Sequence, residues 1–546
     1  MATATVPRDA DTGGLPPEPA RDVPPTSAPD SGEGEPHKWL IAGSVLIGTI
    51  MAVLDTSIVN VALADMSGTL GATIEQITWV VTGYMLSNVL VMPMMGMLSA
   101  RFGRKKLYLS SLALFTLASM ACGLARSLPT MVAVRAFQGI GGGVIMTVAQ
   151  AILRETFPPK EQGIAMGLFG MGVVLAPAFG PTLGGWLTDK YSWPWIFYIN
   201  VPIGVINYML VQRFVHDPHY LVREKGAVDW TGLALMIGGL GALQLGLEEG
   251  SSHDWFQSAF IIRLFAVGTL GLLLFVWHEL RTPRPAVDLR IMKNAGFSSA
   301  TALNGVLGMA LMGSVFLLPL FMQNILRFNA MQAGEALMPR SLAMAVLMPI
   351  GGRVYNRIGP KILVTAGLVL SAVSFVQLAN MTVDTGFWDL FWPQVLQGAG
   401  FSLIFVALTT AAFATIDKPK VTAASGLYNV VRTVAGSIGV AIAASQLTTM
   451  TQANHAVLAE RASMANSSAV TWVQQATAGM MRTGVDAYTA RMRALKLLDL
   501  SMTRQAVVMA LNHVFVLIAI LFFISLPFVL LLRAGHADGH EAMIAE

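Results

Sequence analysis

Fourteen stretches of about 20 mostly apolar residues fill the chain between Trp39 and Leu532. A bilayer's hydrocarbon core of ~30 Å takes about that much helix to cross. Bounded by charges or turn residues, they lie near 39–62, 76–98, 107–125, 131–152, 163–186, 194–214, 230–248, 260–279, 297–321, 333–354, 362–380, 388–413, 426–448 and 508–532. Only 12% of the 546 residues are charged and 54% are hydrophobic, with a mean hydropathy of +0.61. Soluble chains carry roughly 25% charge, so lipid must be the solvent here. Lipid offers no hydrogen bonds to an exposed backbone, which leaves helices as the spanning element. The expectation is an all-α polytopic membrane protein with 14 transmembrane helices.

Residues 1–38 stand apart. Eight prolines fall between Pro7 and Pro36 with no apolar run among them, so this segment is expected to be a disordered cytoplasmic tail. It lacks the charged start, apolar stretch and small-residue site of a cleavable signal. Orientation follows from the basic residues of the short loops. With the N-terminus cytoplasmic, the inside loops hold 18 Lys and Arg. They include Arg101, Arg104, Lys105, Lys106, Arg223, Lys225, Arg353, Arg357 and Lys361. The short outside loops hold only Arg126, Lys190, Arg263 and Arg327. Both termini are therefore expected in the cytoplasm, with 534–546 as a second tail. The single cysteine, Cys122, rules out an intrachain disulfide and a Cys-based metal site.

Two pairs of segments repeat at one offset of eight spans. Gly96 to Lys105 (GMLSARFGRK) follows span 2, and Gly352 to Lys361 (GRVYNRIGPK) follows span 10. Likewise Arg135 to Gly141 (RAFQGIG) in span 4 matches Gln394 to Gly400 (QVLQGAG) in span 12. The offset divides the chain into a six-helix bundle at 39–215, two inserted helices with their linkers at 216–296, and a second six-helix bundle at 297–533. Parallel repeats with a site between them are a transporter architecture. The external loop 449–507 is exceptional in length. Its residues 486–502 place Tyr488, Met492, Leu495 and Leu498 at helical spacing, which predicts an amphipathic external helix. That helix would either dock a partner protein or pack on the chain's own outer surface.

From about residue 39 to 448, and less specifically to 532, the sequence resembles the fourteen-helix drug:proton antiporter branch of the major facilitator superfamily, the EmrB/QacA type. Leu54 to Leu63 (LDTSIVNVAL) is similar to that family's first-helix motif, and Gly96 to Lys106 to its cytoplasmic-loop motif. Arg135 to Gly141 resembles its fourth-helix arginine motif. Gly172, Ala176, Gly180, Pro181, Gly184 and Gly185 resemble its fifth-helix antiporter motif, and Trp193 to Gly204 the start of its sixth helix. The resemblance implies two six-helix bundles plus two extra central helices, and export of drugs against protons across the inner membrane. It also implies that some members work with a periplasmic adaptor and an outer-membrane channel. One departure stands out. The loop motif usually has Asp where this chain has Ala100, and the second copy has Asn356, which puts a gate built on that Asp in doubt.

Asp55 is the one acid expected well inside a span, about 10 Å below its outer end by helical rise, with Arg135 about 7 Å deep in span 4. Intramembrane charge costs at least ~2.5–3.5 kcal/mol and marks function. The two residues are candidates for proton coupling, since a carboxylate that either pairs with Arg or takes a proton is what coupling requires. A static pair fixing helix packing is the alternative. Gly96, Arg101, Gly103, Arg104, Gly352, Arg357 and Gly359 are the candidate gating loops. Gly172, Ala176, Gly180 and Gly184 recur every fourth residue, a ridge that lets another helix approach closely. Asn60, Gln138, Gln397 and Arg432 are candidate cavity residues. Arg340 and Glu335, near the outer end of span 10, are expected to snorkel to water.

No G-x-x-x-x-G-K-[ST] phosphate loop occurs, which argues against ATP-driven pumping. No H-E-x-x-H or G-x-S-x-G occurs, and no cluster of catalytic side chains lies in the spans. Neither an enzymatic activity nor a metal or cofactor is expected. The expected partners are the lipid bilayer, small amphipathic substrates and protons, with the adaptor and channel as an extension. A narrow-substrate exporter, of fatty acids or an endogenous metabolite, is the competing reading to multidrug efflux.

Overall fold

The computed structural model describes residues 38–217, 228–462 and 467–532. The expectations for the two tails, and for Arg223 and Lys225, fall outside them. Fourteen long helices follow one another: α1 Lys38–Leu70, α2 Glu75–Phe102, α3 Arg104–Gly123, α4 Leu128–Thr156, α5 Gln162–Lys190, α6 Trp195–Phe214 and α7 Trp230–Glu249. Then come α8 Ala259–Arg281, α9 Ala295–Asn324, α10 Ala330–Ile358, α11 Pro360–Leu378, α12 Phe387–Ala414, α13 Val421–Arg461 and α14 Ala487–Ser525. Thirteen are long and apolar enough to cross a membrane. The exception is α10, whose 29 residues include Glu335, Arg340, Arg353 and Arg357. It packs between α5 and α12, with Arg340 buried and Glu335, Arg353 and Arg357 exposed nearer its ends.

Local chemistry sets the ends. Asn329 accepts a hydrogen bond from the Gln332 amide at 2.8 Å while the Gln332 side chain accepts from the Asn329 amide at 3.0 Å, a reciprocal cap that starts α10. Asp229 and Asn294 cap α7 and α9 through the amides of Gly232 and Phe297. Between α2 and α3 the chain turns at Gly103, and between α10 and α11 at Gly359. Both have φ of +81°, a conformation open to glycine and strained for other residues. The repeated loop sequence is thus a repeated turn.

The packing repeats as well. α1 lies on α5, α2 on α4, and α3 on α4 and α6; in the same order α9 lies on α13, α10 on α12, and α11 on α12 and α14. The two sets meet through α5 against α10 and α2 against α13, which are again equivalent pairs. α7 and α8 pack mainly on each other. Their backbones are close enough that a side chain at Gly239 would fall 2.7 Å from the Leu272 nitrogen.

Residues 449–507 depart from expectation. Residues 486–502 are not a separate helix but the N-terminal part of α14, capped by Asp486 on the Thr489 amide at 3.0 Å. α13 likewise runs on to Arg461, and a further helix, Ser467–Met481, lies against α14. The period-3.6 pattern is the same for a free helix and for an extension of a span, so periodicity alone does not separate the two. The face carrying Tyr488 and Met492 points away from the protein, the two side chains being 76% and 51% exposed.

Candidate functional site

Asp55 on α1 and Arg135 on α4 meet directly. Arg135 Nη1 lies 2.5 Å from Asp55 Oδ2, and both side chains are fully buried. The other carboxylate oxygen accepts from Gln138 Nε2 at 3.0 Å and from Asn200 Nδ2, at the start of α6, at 2.8 Å. Arg135 Nη1 also donates to Gln138 Oε1 at 2.8 Å, and Nε donates to the Val80 carbonyl at 3.2 Å. The guanidinium stacks over the Tyr84 ring at 4.3 Å. Four helices therefore converge on one ion pair whose polar atoms are almost all satisfied, as a buried charge requires. Asn200 is in turn braced by Ser119 Oγ at 3.0 Å. Cys122 is packed beside the cluster, its Sγ 3.6 Å from Gln138 Oε1.

Chemically this is a carboxylate with three strong donors, one of them a removable cation. A proton on Asp55 would turn one acceptor oxygen into a donor, and the partner displaced most easily is another donor, Arg135. The guanidinium has an unpaired Nη2 already in place for a new contact.

The loop motif is organised around carboxylates other than the missing Asp at position 100. Arg104 pairs with Glu155 at the end of α4, and its Nη2 donates to the Lys418 carbonyl of the opposite half at 3.1 Å. Asp217, beyond α6, accepts from the Lys105 amide at 2.7 Å and sits against Gly103. In the second copy Asn356 donates to the Lys160 carbonyl, again across the halves. Gly96 faces Ala423, and Gly352 faces Gly163, so closely that a side chain at either would collide. Arg101, Arg357 and Gly359 lie at the surface or its edge.

Deeper from this end, Ser425 donates to the Thr147 carbonyl at 3.1 Å and Asn429 to Gln150 Oε1 at 2.7 Å. Arg154 donates to the Phe413 carbonyl at 3.1 Å. The hydrogen bonds joining α1–α6 to α9–α14 thus cluster at the end that carries the two glycine turns. The molecule is closed there.

The fifth-helix motif has two faces. Gly172, Gly180 and Gly184 pack against α1 at Ile50, Ser57 and Ile58, and Ala176 is buried with them. Pro181 and Gly185 lie outside that contact. The helix continues unbroken through Pro177 and Pro181. Contact with the other half falls to Gly163, Gly167 and Gly170, which meet Gly352, Met348 and Phe405. These glycines, four and three residues apart, form a second small-residue row that begins nine residues before the motif and out of register with it, a spacing that could have exposed them.

Of the candidate cavity residues, Asn60 is exposed on α1, and Arg432 is half-buried over Phe405 at 5.7 Å. Gln138 and Gln397 are each fully buried in their own half. The snorkelling expectation for Arg340 is also corrected. It is 8% exposed, and its Nη1 donates to Ser314 Oγ at 3.1 Å and Gln397 Oε1 at 3.3 Å. Arg340 is ten residues inside α10, where its head turns inward to side chains of α9 and α12.

Comparison with known proteins gives these features a family. The Major Facilitator Superfamily model matches residues 45–440. The chain is 34% identical over 486 residues to the multidrug export protein EmrB of Haemophilus influenzae, covering 87% of this chain and 92% of that one. It is 33% identical over 501 residues to the fatty acid resistance protein FarB of Neisseria gonorrhoeae, covering 91% and 96%. Among solved structures it resembles the human organic anion transporter MFSD10, with a TM-score of 0.58 at 13% identity, covering 89% of this chain and all of that one. That likeness is one of fold. The chain is a multi-pass membrane protein that belongs to the Major Facilitator Superfamily, in the branch that holds the EmrB-type export proteins.

Proposed function

We propose that this protein exports hydrophobic or amphipathic compounds across the cell membrane in exchange for protons, with Asp55 as the proton-binding group and Arg135 as its counter-ion. The observation that carries the reading is the Asp55–Arg135 pair held by Gln138 and Asn200, at a depth where a proton can change which helices are tied together. Export of drugs, named for the EmrB relatives, and of fatty acids, suggested by FarB, supports the substrate class. The moving units are the bundles at 39–215 and 297–533, with 216–296 as an insert. Their gate is the Arg104–Glu155 pair with Asn356 and the glycine contacts. Both termini are cytoplasmic on the loop-charge argument. The outward-facing Tyr488, Met492 and Leu495 supply an apolar face for a periplasmic adaptor that leads to an outer channel.

Substrate-induced proton movement in proteoliposomes under an imposed pH gradient tests the core of this. Wild type is expected to release protons when an amphipathic substrate is added, and Asp55→Asn is not. Equal coupling in the two would make Asp55 a packing residue and overturn the assignment.

A further inference from the structure

The second half contains a counterpart of the Asp55 cluster with its charge left uncompensated. The register that aligns Gly96 with Gly352 aligns Tyr84 with Arg340, and the one that aligns Gln138 with Gln397 aligns Arg135 with Gln394. The first helix of each half adds one more side chain, Asp55 from α1 and Ser314 from α9. In the first half the cation is matched by a carboxylate. In the second, Arg340 makes no ion pair among the described residues.

The hydrogen bonding there is incomplete. Arg340 Nη1 and the Ser314 hydroxyl both point to Gln397 Oε1, at 3.3 Å and 3.2 Å. Arg340 Nε and Nη2 make no hydrogen bond among the described residues. Gln397 Nε2 is buried without a partner, and so are both amide atoms of Gln394 one turn away. Ser314, Gln394 and Gln397 are fully buried, and Arg340 nearly so. Buried donors without acceptors are rare in native proteins and ask for an explanation. A buried guanidinium without a counter-ion is rarer still.

We propose that Arg340, with Gln397 Nε2, forms an anion site in the C-terminal bundle that accepts a single negative charge, either the carboxylate of an amphipathic weak acid or a free halide. A guanidinium fork matches a carboxylate with two parallel bonds and a halide with one shared between them. The inference rests on the exporter reading and narrows its substrates toward weak acids.

Equilibrium binding to the purified full-length protein tests it without proton movement, so a failure of Asp55 coupling leaves this result untouched. The probes are decanoate, decyltrimethylammonium as its cationic match, and chloride against gluconate. Wild type is expected to bind decanoate, and Arg340→Gln to bind it on the order of tenfold to a hundredfold more weakly. Arg340→Lys should restore part of the affinity. Decyltrimethylammonium binding should be the same in all three, which also reports that the variants are folded. Chloride that competes with decanoate in wild type, and not in Arg340→Gln, would place both anions at Arg340. Chloride binding that needs Arg340 with no decanoate competition would make the halide the occupant. Decanoate and chloride binding unchanged in Arg340→Gln overturns the proposal. If Arg340→Gln weakens the cation as much as the anion, the residue is structural, which also overturns it.

Discussion

At the scale of single residues, Asp55 and Arg135 are held so completely that removing either leaves the other charged and alone. Breaking a buried pair by deleting one partner typically costs about 3–5 kcal/mol. Arg135→Gln should therefore lower the thermal stability of the protein in detergent sharply. Asp55→Asn combined with Arg135→Gln should recover much of that loss, because two neutral amides can bond to each other and to Gln138 and Asn200. Melting curves of the two single variants and the double variant give the coupling between them. Additive losses would mean that the pair does not act as a unit. Asp55 and Arg135 stand out in the sequence because charge in an apolar run is visible. Asn200 and Tyr84 do not, since an amide at a helix start and a tyrosine in a span are ordinary until the fold brings them together.

At the scale of helices, α5 shows how one sequence pattern serves two surfaces. The glycines of the motif, in the C-terminal part of α5, seat α1 within the first half, while Gly163, Gly167 and Gly170 let α10 and α12 of the second half approach. Gly163→Leu is expected to leave the protein folded and inserted, because each half keeps its own packing, yet to abolish transport by holding the halves apart at the closed end. Gly185→Ala is the contrasting case. A side chain there meets nothing within 4 Å, and transport should be unchanged although the residue belongs to the same motif. Transport rates of both variants, normalised to membrane-inserted protein, check the pair. The helices and the two-fold repeat were legible from apolar run lengths and from two short matched segments. α10 shows the limit of that signal, since its charges dilute the hydropathy: Arg340 is buried against α9 and α12, while Glu335, Arg353 and Arg357 are exposed toward the two ends of the helix. The full length of α13 and α14 was hidden for the opposite reason. Polar sequence can continue a helix into water as readily as it can form a loop, and nothing local distinguishes the two.

At the scale of the whole molecule, the halves touch where the glycine turns lie, and with the proposed cytoplasmic termini an exporter must open that end to load substrate. The contact between Asn356 and the Lys160 carbonyl sits at its rim, with both residues exposed. Replacing them together as Lys160→Cys and Asn356→Cys places two thiols across the gap. Cys122 is fully buried, so it should stay out of the reaction and the native background can be kept. Oxidation is expected to join the pair and stop transport, and a reductant to restore it. If the motion is a rocking of one half on the other, substrate held on the loading side should slow cross-linking by drawing molecules into the open form. A ligand shifts such an equilibrium only by its difference in affinity between the two forms. Cross-linking that proceeds at the same rate with and without substrate, and leaves transport intact, would mean that this end does not open. The path would then have to run elsewhere through the fold.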